Sequence, residues 1–135
     1  MNGPLHRDEN VIERSNEGLA ALYEACRALV YATVATDDGF VVASILEGRV
    51  QASSMAGMAS SMQALGDAVT RELEIGGAEY IIIAADRGYT IQLRIPGQPL
   101  VLSAVFDSAE TVGKGLAASR VSALDISAKL LTEAA

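Results

Sequence analysis

Residues 79–106 read EYIIIAADRGYTIQLRIPGQPLVLSAVF, and this stretch decides the fold. It holds three apolar segments separated by DRG and PGQP, whose Gly and Pro residues favour tight reversals of the chain. The segments 79–85, 89–95 and 100–106 are short, bounded by turn residues and rich in β-branched side chains. Because links this short join antiparallel neighbours, the stretch predicts a three-stranded meander.

The middle segment of the meander alternates apolar and polar residues. Its polar side chains are Thr90, Gln92 and Arg94. Successive side chains of a strand point to opposite faces of the sheet. This strand therefore has one clearly polar face.

A second pair of strands precedes the meander. Residues 29–36 (LVYATVAT) and 40–46 (FVVASIL) are apolar runs joined by Asp37-Asp38-Gly39. Asp-Gly between apolar runs is a strong hairpin signal, because Gly tolerates the positive φ of such turns. Both runs are apolar on both faces, so we expect each face of this sheet to be covered.

Two helices are predicted around the hairpin. The first follows a polar tail over residues 1–14, where Asn10 and Glu13 form a candidate capping box. Gly18 interrupts the apolar stripe of this helix at a cost, which favours a start near Ser15. That stripe comprises Leu19, Leu22, Cys26 and Leu29. The second helix spans residues 49–73 without a proline.

A third helix closes the chain, with Asp107 and Glu110 as a candidate capping pair. Its apolar stripe comprises Ala109, Val112, Leu116, Ala123, Ile126 and Leu130. The resulting order is helix, two strands, helix, three strands, helix. This order is not the βαβ alternation of a Rossmann fold.

Composition and charge exclude several classes of function. The 135 residues are 50% hydrophobic, enough for one domain, and ten basic against seventeen acidic side chains give a net charge of −7. The basic residues are spread singly along the chain, which argues against a nucleic-acid partner. A single cysteine permits no internal disulfide, and no secretory or membrane-spanning stretch is visible, so we expect a soluble cytoplasmic protein without membrane insertion.

The chain shows no set of residues for catalysis, so we predict no enzyme activity, cofactor or metal. The only histidine, His6, lies in the polar tail, and Cys26 occupies an apolar helix position typical of a structural thiol. Gly113-Lys114-Gly115 lacks the leading Gly and the Ser or Thr of a phosphate loop. Asp37 and Asp38 are interpreted as solvated turn residues.

The sequence supports an interaction surface better than it supports a catalytic site. In the second helix, Met55, Met58 and Met62 begin a stripe that Leu65 and Val69 continue, and few charged residues cover the remaining sides. A helix covered on one side should carry charge on the other, so this helix favours a subunit interface. The strand EYIIIAA offers a second interface if it lies at a sheet edge, whereas a central strand covered on both faces fits its sequence equally well.

These segments together resemble the roadblock/LC7 domain family, and the short acidic chain is more similar to its prokaryotic members. The resemblance rests on the hairpin over 34–44, the Met/Ala-rich helix over 55–73 and the meander over 78–106. It covers residues 15–131, leaving an N-terminal tail over 1–14 and a C-terminal tail over 132–135. It implies a profilin-like α+β fold, with a five-stranded antiparallel sheet in the order 2-1-5-4-3, the second helix on one face and the other two helices on the opposite face.

The resemblance also implies a function. Members of the family dimerise through the second helix and through edge pairing of the third strand, and they typically serve small Ras-like GTPases as activators, localisers or scaffolds. We therefore expect a homodimeric regulator of such a GTPase. The expected interface comprises Met55, Met58, Ala59, Met62, Leu65, Val69, Tyr80, Ile81, Ile82 and Ile83.

Other interpretations of the function remain open. Arg49 and Arg71 are candidate contacts to an acidic patch of the GTPase, with ordinary surface charge as the alternative. The protein could instead be a structural adaptor or scaffold in a motility, polarity or signalling complex without a GTPase. Small-ligand sensing beside the sheet is a third interpretation, and it rests on fold shape alone.

Overall fold

One five-stranded antiparallel sheet organises the chain, whose computed structural model describes residues 3–46 and 50–134. The strands are β1 (Leu29–Thr36), β2 (Val41–Ile45), β3 (Tyr80–Ala85), β4 (Gly88–Arg94) and β5 (Leu100–Asp107). The helices are α1 (Glu9–Ala25), α2 (Ala52–Glu72) and α3 (Val112–Ala134), and a 3-10 turn (Leu5–Arg7) precedes α1. The sheet order β2-β1-β5-β4-β3 and the order of elements confirm the predicted fold class.

The main apolar core lies between the sheet and the pair α1 and α3. Strand β5 runs through the centre of the sheet between β1 and β4, and its core-facing side chains Leu102 and Phe106 are almost fully buried. The ring of Phe106 stacks on that of Tyr89, with centroids 5.1 Å apart. Helix α1 packs mainly on β2 and β1, and α3 packs mainly on β4 and β5.

Helix α1 begins at Glu9, earlier than the start near Ser15 that the sequence suggested. The cap is Asp8, whose carboxylate Oδ1 accepts the backbone N–H groups of Asn10 and Val11 at 3.0 and 3.3 Å. The capping box expected at Asn10 is therefore wrong, because that residue already lies inside the helix. An Asp in this position satisfies N–H groups that the first helical turn leaves without partners.

Gly18 has a tertiary role that its helix propensity does not reveal. A Cβ atom at this position would lie within 3.0 Å of Cδ1 and Cγ1 of Ile126 on α3, and Ser122 Oγ donates a hydrogen bond to the Gly18 carbonyl at 2.7 Å. The missing side chain thus lets α1 and α3 approach each other closely. The loss of helix stability at Gly18 is offset by packing between the two helices.

Helix α3 is capped by a residue that the sequence analysis passed over. The hydroxyl of Thr111 accepts the backbone N–H of Lys114 at 3.2 Å, and the helix begins at Val112. The predicted pairing of Asp107 with Glu110 as a cap is therefore wrong. Asp107 instead accepts the N–H of Ala109 within the preceding turn, at 2.7 Å.

Helix α2 covers the opposite face of the sheet, and the polar side of β4 lies beneath it. Gln92 is 2% exposed, and its side-chain amide donates to the carbonyl of Ala59 on α2 at 2.9 Å. A second, longer contact of 3.4 Å joins this amide to Gln63. The polar face predicted for this strand therefore contacts a helix rather than solvent, and hydrogen bonds compensate the buried amide.

None of the helices within residues 3–46 and 50–134 has the length and hydropathy needed to cross a bilayer.

Candidate interaction surface

Helix α2 exposes several of its large apolar side chains to solvent. Met58, Leu65 and Val69 are 47%, 67% and 48% exposed, whereas Ala56, Ala59 and Gln63 are buried against the strands. The helix thus shows to solvent the side chains that a surface helix normally hides. A contiguous apolar surface of this kind is typical of a site where another protein binds.

A groove between the C-terminal half of α2 and β3 extends this surface. It has a volume of about 500 Å³ and is lined by Met62, Leu65 and Val69 from the helix and by Ile81 and Ile83 from the strand. We call the exposed apolar residues of the helix, the groove and the following turn the α2–β3 surface. Its members are Met58, Leu65, Val69, Leu73, Ile75 and Ile83.

The helix and the strand approach closely at Gly66. A Cβ atom there would lie 3.0 Å from Cδ1 of Ile81, which is tighter than ordinary side-chain packing. The absence of a side chain thus seats α2 directly on β3. This contact makes the exposed faces of the two elements continuous.

Strand β3 lies at the edge of the sheet, which decides between the two positions that its sequence allowed. Within the described ranges it pairs with β4 alone, in a register that sets Tyr80 opposite Leu93 and Ile82 opposite Ile91. Its outer edge therefore presents backbone N–H and C=O groups that no strand of residues 3–46 or 50–134 pairs with. Exposed edges of this kind are templates for pairing with another chain.

The predicted interface residues divide between four environments, and Met58, Leu65, Val69 and Ile83 are exposed members of the α2–β3 surface. Ala59 is 2% exposed and faces the sheet, so it is a correction to the expected interface: its carbonyl binds Gln92 instead of a partner. Met55, Met62 and Ile81 are half-buried at the border of the α2–β3 surface. Tyr80 and Ile82 point to the α3 side of the sheet, because they pair with the core-facing residues of β4.

The two arginines proposed as partner contacts differ in position. Arg71 is exposed in the last turn of α2, beside the α2–β3 surface. Arg49 lies outside the described residues.

A polar clamp that sequence reasoning missed holds α2 against the β1–β2 hairpin. The Arg94 guanidinium contacts both carboxylate oxygens of Asp37 at 2.9 and 3.0 Å and Asp67 on α2 at 3.1 Å. Ser60 Oγ also donates to the carbonyl of Asp37 at 2.7 Å. Asp37, which was interpreted as a solvated turn residue, therefore joins strand, helix and hairpin.

Replacing Arg94 with methionine should lower the free energy of unfolding by about 1 kcal/mol. The three side chains are 38–40% exposed, so solvent screens the ion pairs, while the bridge from one guanidinium to two carboxylates keeps the effect at the upper end for surface pairs. Urea denaturation at low salt and at 1 M salt measures this loss. The difference in free energy of unfolding between the wild type and the variant should be smaller at high salt. The control is Arg27→Met, which removes an exposed pair between the turn after α1 and Glu24 of that helix and should cost less. An equal loss in both variants would contradict the clamp.

The residues considered for chemistry are dispersed. His6 stacks on Phe40 with centroids 4.5 Å apart, and Cys26 is buried beside the end of α1. Lys114 pairs with Glu110 at 3.1 Å, and this contact lowers the pKa of the Glu110 carboxyl. Among residues 3–46 and 50–134, no group of three or more His, Cys, Asp and Glu side chains is placed to hold a metal ion.

Comparisons with known proteins give a clear answer at the level of structure only. No family model matches the sequence, and no curated protein does either. Among solved structures, MglB of Myxococcus xanthus has a TM-score of 0.81 at 11% identity, covering 90% of each chain. A Roadblock/LC7 domain from Streptomyces avermitilis has a TM-score of 0.76 at 15% identity, covering 85% of this chain and 96% of the other. The chain has a roadblock/LC7-type fold.

A third structure with this roadblock/LC7-type fold bears on assembly. It is described as MglB with a tetrameric arrangement and has a TM-score of 0.77 at 22% identity, covering 88% of this chain and 89% of the other. At identities this low, the TM-scores establish a shared fold and no more. The family resemblance is confirmed at the level of the fold. Within the roadblock/LC7-type fold of this chain, the α2–β3 surface carries six exposed large apolar side chains.

Proposed function

We propose that this protein is a homodimeric regulator that acts by binding a small Ras-like GTPase, without catalytic groups of its own. The observation that carries the proposal is the α2–β3 surface, where an apolar helix face meets an unpaired strand edge. A second copy of the chain supplies both missing partners at once. Pairing β3 with its twin continues the sheet, and the two α2 helices then cover each other's apolar faces.

The backbone geometry limits how two β3 strands can pair. A two-fold axis perpendicular to the sheet sets residues with the same facing opposite each other, so their numbers must sum to an even value. A centre at Ile82 or at Ile83 meets this condition within β3.

A Ras-like GTPase is the partner that the family resemblance suggests. Two observations support it: the fold matches roadblock/LC7 and MglB structures, and the described residues offer binding surfaces rather than a metal cluster. Arg71 lies exposed at the rim of the α2–β3 surface, where it can contact an acidic patch of such a partner. We place the protein in the cytoplasm, where these GTPases act.

The test is direct binding to a Ras-like GTPase from the same organism. The purified protein should co-elute with the GTPase loaded with GTP or with GDP, and GTP turnover measured in the same mixture shows whether binding alters hydrolysis. Arg71→Glu should weaken co-elution at least tenfold, whereas Arg27→Glu, in the exposed turn between α1 and β1, should leave it unchanged.

Absence of binding in both nucleotide states would overturn the GTPase proposal. The adaptor interpretation, a scaffold in a motility, polarity or signalling complex, would then be favoured. The homodimer itself is tested separately, since light scattering reports it without any partner.

A further inference from the structure

We infer that the dimer carries a second binding site on the α3 side of its sheet: a trough that takes one amphipathic helix of a partner protein with acidic residues beside its apolar stripe. The inference rests on the proposed homodimer. It concerns the face opposite the α2–β3 surface.

Half of this trough is visible in the single chain. A groove of about 270 Å³ separates α3 from the start of β3, and its lining includes Tyr80, Arg120 and Leu124. Tyr80 is 41% exposed and Leu124 58% exposed, although both are large apolar side chains. The guanidinium of Arg120 lies over the Tyr80 ring, 5.8 Å from its centroid. The groove is therefore apolar with one basic wall.

Pairing of β3 with its twin doubles this groove and gives it a definite width. Helix α3 packs over β4 and β5, so its axis lies about two strand spacings from the two-fold axis. At about 4.8 Å per spacing, the two α3 helices of a dimer lie about 19 Å apart. Packed helices have axes 8–10 Å apart, so the space between the α3 helices is about the width of one additional helix.

The floor of the trough is apolar and short. Each β3 contributes Tyr80, Ile82 and Ala84, the side chains that face the α3 side of the sheet. Six strand residues span about 20 Å, which matches roughly 13 residues of helix. A helix of three to four turns with an apolar stripe fits this floor.

Charge then selects the kind of helix. Each wall carries one Arg120, and within residues 3–46 and 50–134 no carboxylate forms an ion pair with it. Glu79, which precedes Tyr80 in the chain, also lines the groove. A helix with carboxylates on both flanks of its stripe would pair with both arginines, and these local ion pairs would have to exceed the general repulsion from a chain of net charge −7.

Symmetry fixes the stoichiometry. The two-fold axis passes through the middle of the trough, so a second helix related by symmetry would occupy the same space as the first. The site therefore binds one helix per two chains. A site contained within each chain would instead bind two helices per dimer.

A pair of designed peptides tests the site on the full-length protein. The acidic probe is a fluorescein-labelled 16-residue helix with Leu at i, i+4, i+7 and i+11 and Glu on both flanks of that stripe. The basic probe replaces each Glu with Lys. Fluorescence anisotropy should show saturable binding of the acidic probe at one peptide per two chains, at least tenfold tighter than the basic probe.

The decisive variant reverses the charge of one residue. Arg120→Glu should weaken the acidic probe at least tenfold and strengthen the basic probe at least tenfold, a switch that an unfolded protein cannot produce. Lys114→Glu is the matched control, because it reverses a charge on the same helix outside the groove. Equal effects of the two variants, or one peptide per chain, would overturn the site.

Light scattering on the same samples separates this proposal from the homodimer on which it rests. A dimer that binds neither probe, or binds both equally, overturns the trough and leaves the homodimer standing. A monomeric wild-type protein overturns the homodimer. A wild-type tetramer that becomes a dimer in Arg120→Glu would show that a second dimer, rather than a partner helix, occupies this face.

Discussion

Leu65→Glu should convert the homodimer into a monomer, the largest effect that we expect from a single substitution. Leu65 is 67% exposed in the free chain, so the folded monomer tolerates a carboxylate there. In the proposed dimer the same position is buried against a second α2 helix. An unpaired buried charge costs about 3–5 kcal/mol, which corresponds to more than a hundredfold loss of dimer affinity.

The control for this variant is Val121→Glu on the outer side of α3, which is also 67% exposed. Light scattering should give twice the chain mass of 14.1 kDa for the wild type and for Val121→Glu, and a single chain mass for Leu65→Glu. Circular dichroism should be the same for all three proteins. A Leu65→Glu variant that remains dimeric would show that the two chains do not meet through α2.

Gly18→Ala should lower the free energy of unfolding by about 2 kcal/mol, although alanine is the better helix former. The added Cβ would overlap Ile126, which is fully buried and has no free space to move into. Overpacking of this kind costs about 1–3 kcal/mol, and at a gap this small we take the upper value. The higher helix propensity of alanine offsets about 1 kcal/mol of this cost, which leaves the net loss of about 2 kcal/mol.

Two further variants identify the cause of that loss. Gly113→Ala lies in the first turn of α3 with nothing near its Cβ position, so urea denaturation should show no loss of stability. Combining Gly18→Ala with Ile126→Ala should cost less than the sum of the single changes, because the smaller side chain removes the overlap. Additive losses would mean that Gly18 does not separate the two helices.

Local sequence signals predicted the strands and their pairing well. Asp-Gly after β1, Asp86-Arg87-Gly88 after β3 and the PGQP turn after β4 mark the reversals, and β1 and β3 begin and end within one residue of the predicted bounds. These signals are local because turn chemistry depends on a few neighbouring residues. The sheet order followed from the family resemblance.

Features that depend on contacts distant in sequence were not predictable. The start of α1 was placed too late because Gly18 was interpreted as a local weakness, whereas its role depends on Ile126, more than a hundred residues away. The polar face of β4 was recognised, but its burial under α2 depends on the carbonyl of Ala59. Neither contact has a signature in a single sequence.

The candidate site was predicted only in part, because it also depends on contacts between residues distant in sequence. Helical periodicity identified the row that includes Leu65 and Val69, and the structure leaves these two residues and Met58 exposed, with Met55 and Met62 half-buried. Periodicity alone does not say which side of an apolar helix faces its own sheet, so Ala59 was placed in the interface incorrectly. The trough beside Arg120 was not foreseen, because strand order and helix position both determine it.

Helix α2 differs from an ordinary surface helix in the distribution of its side chains, because polar contacts lie between it and the sheet. Amides and ion pairs hold its inner side, and Met58, Leu65 and Val69 are exposed, so this part of its apolar surface is buried only when another molecule binds. Stabilisation by such binding grows with the concentration of the binding species relative to its dissociation constant. For a self-associating chain, the concentration of the protein in the cell thus contributes to the free energy of unfolding of each copy. At low concentration, α2 would be the part of the molecule least protected against local unfolding.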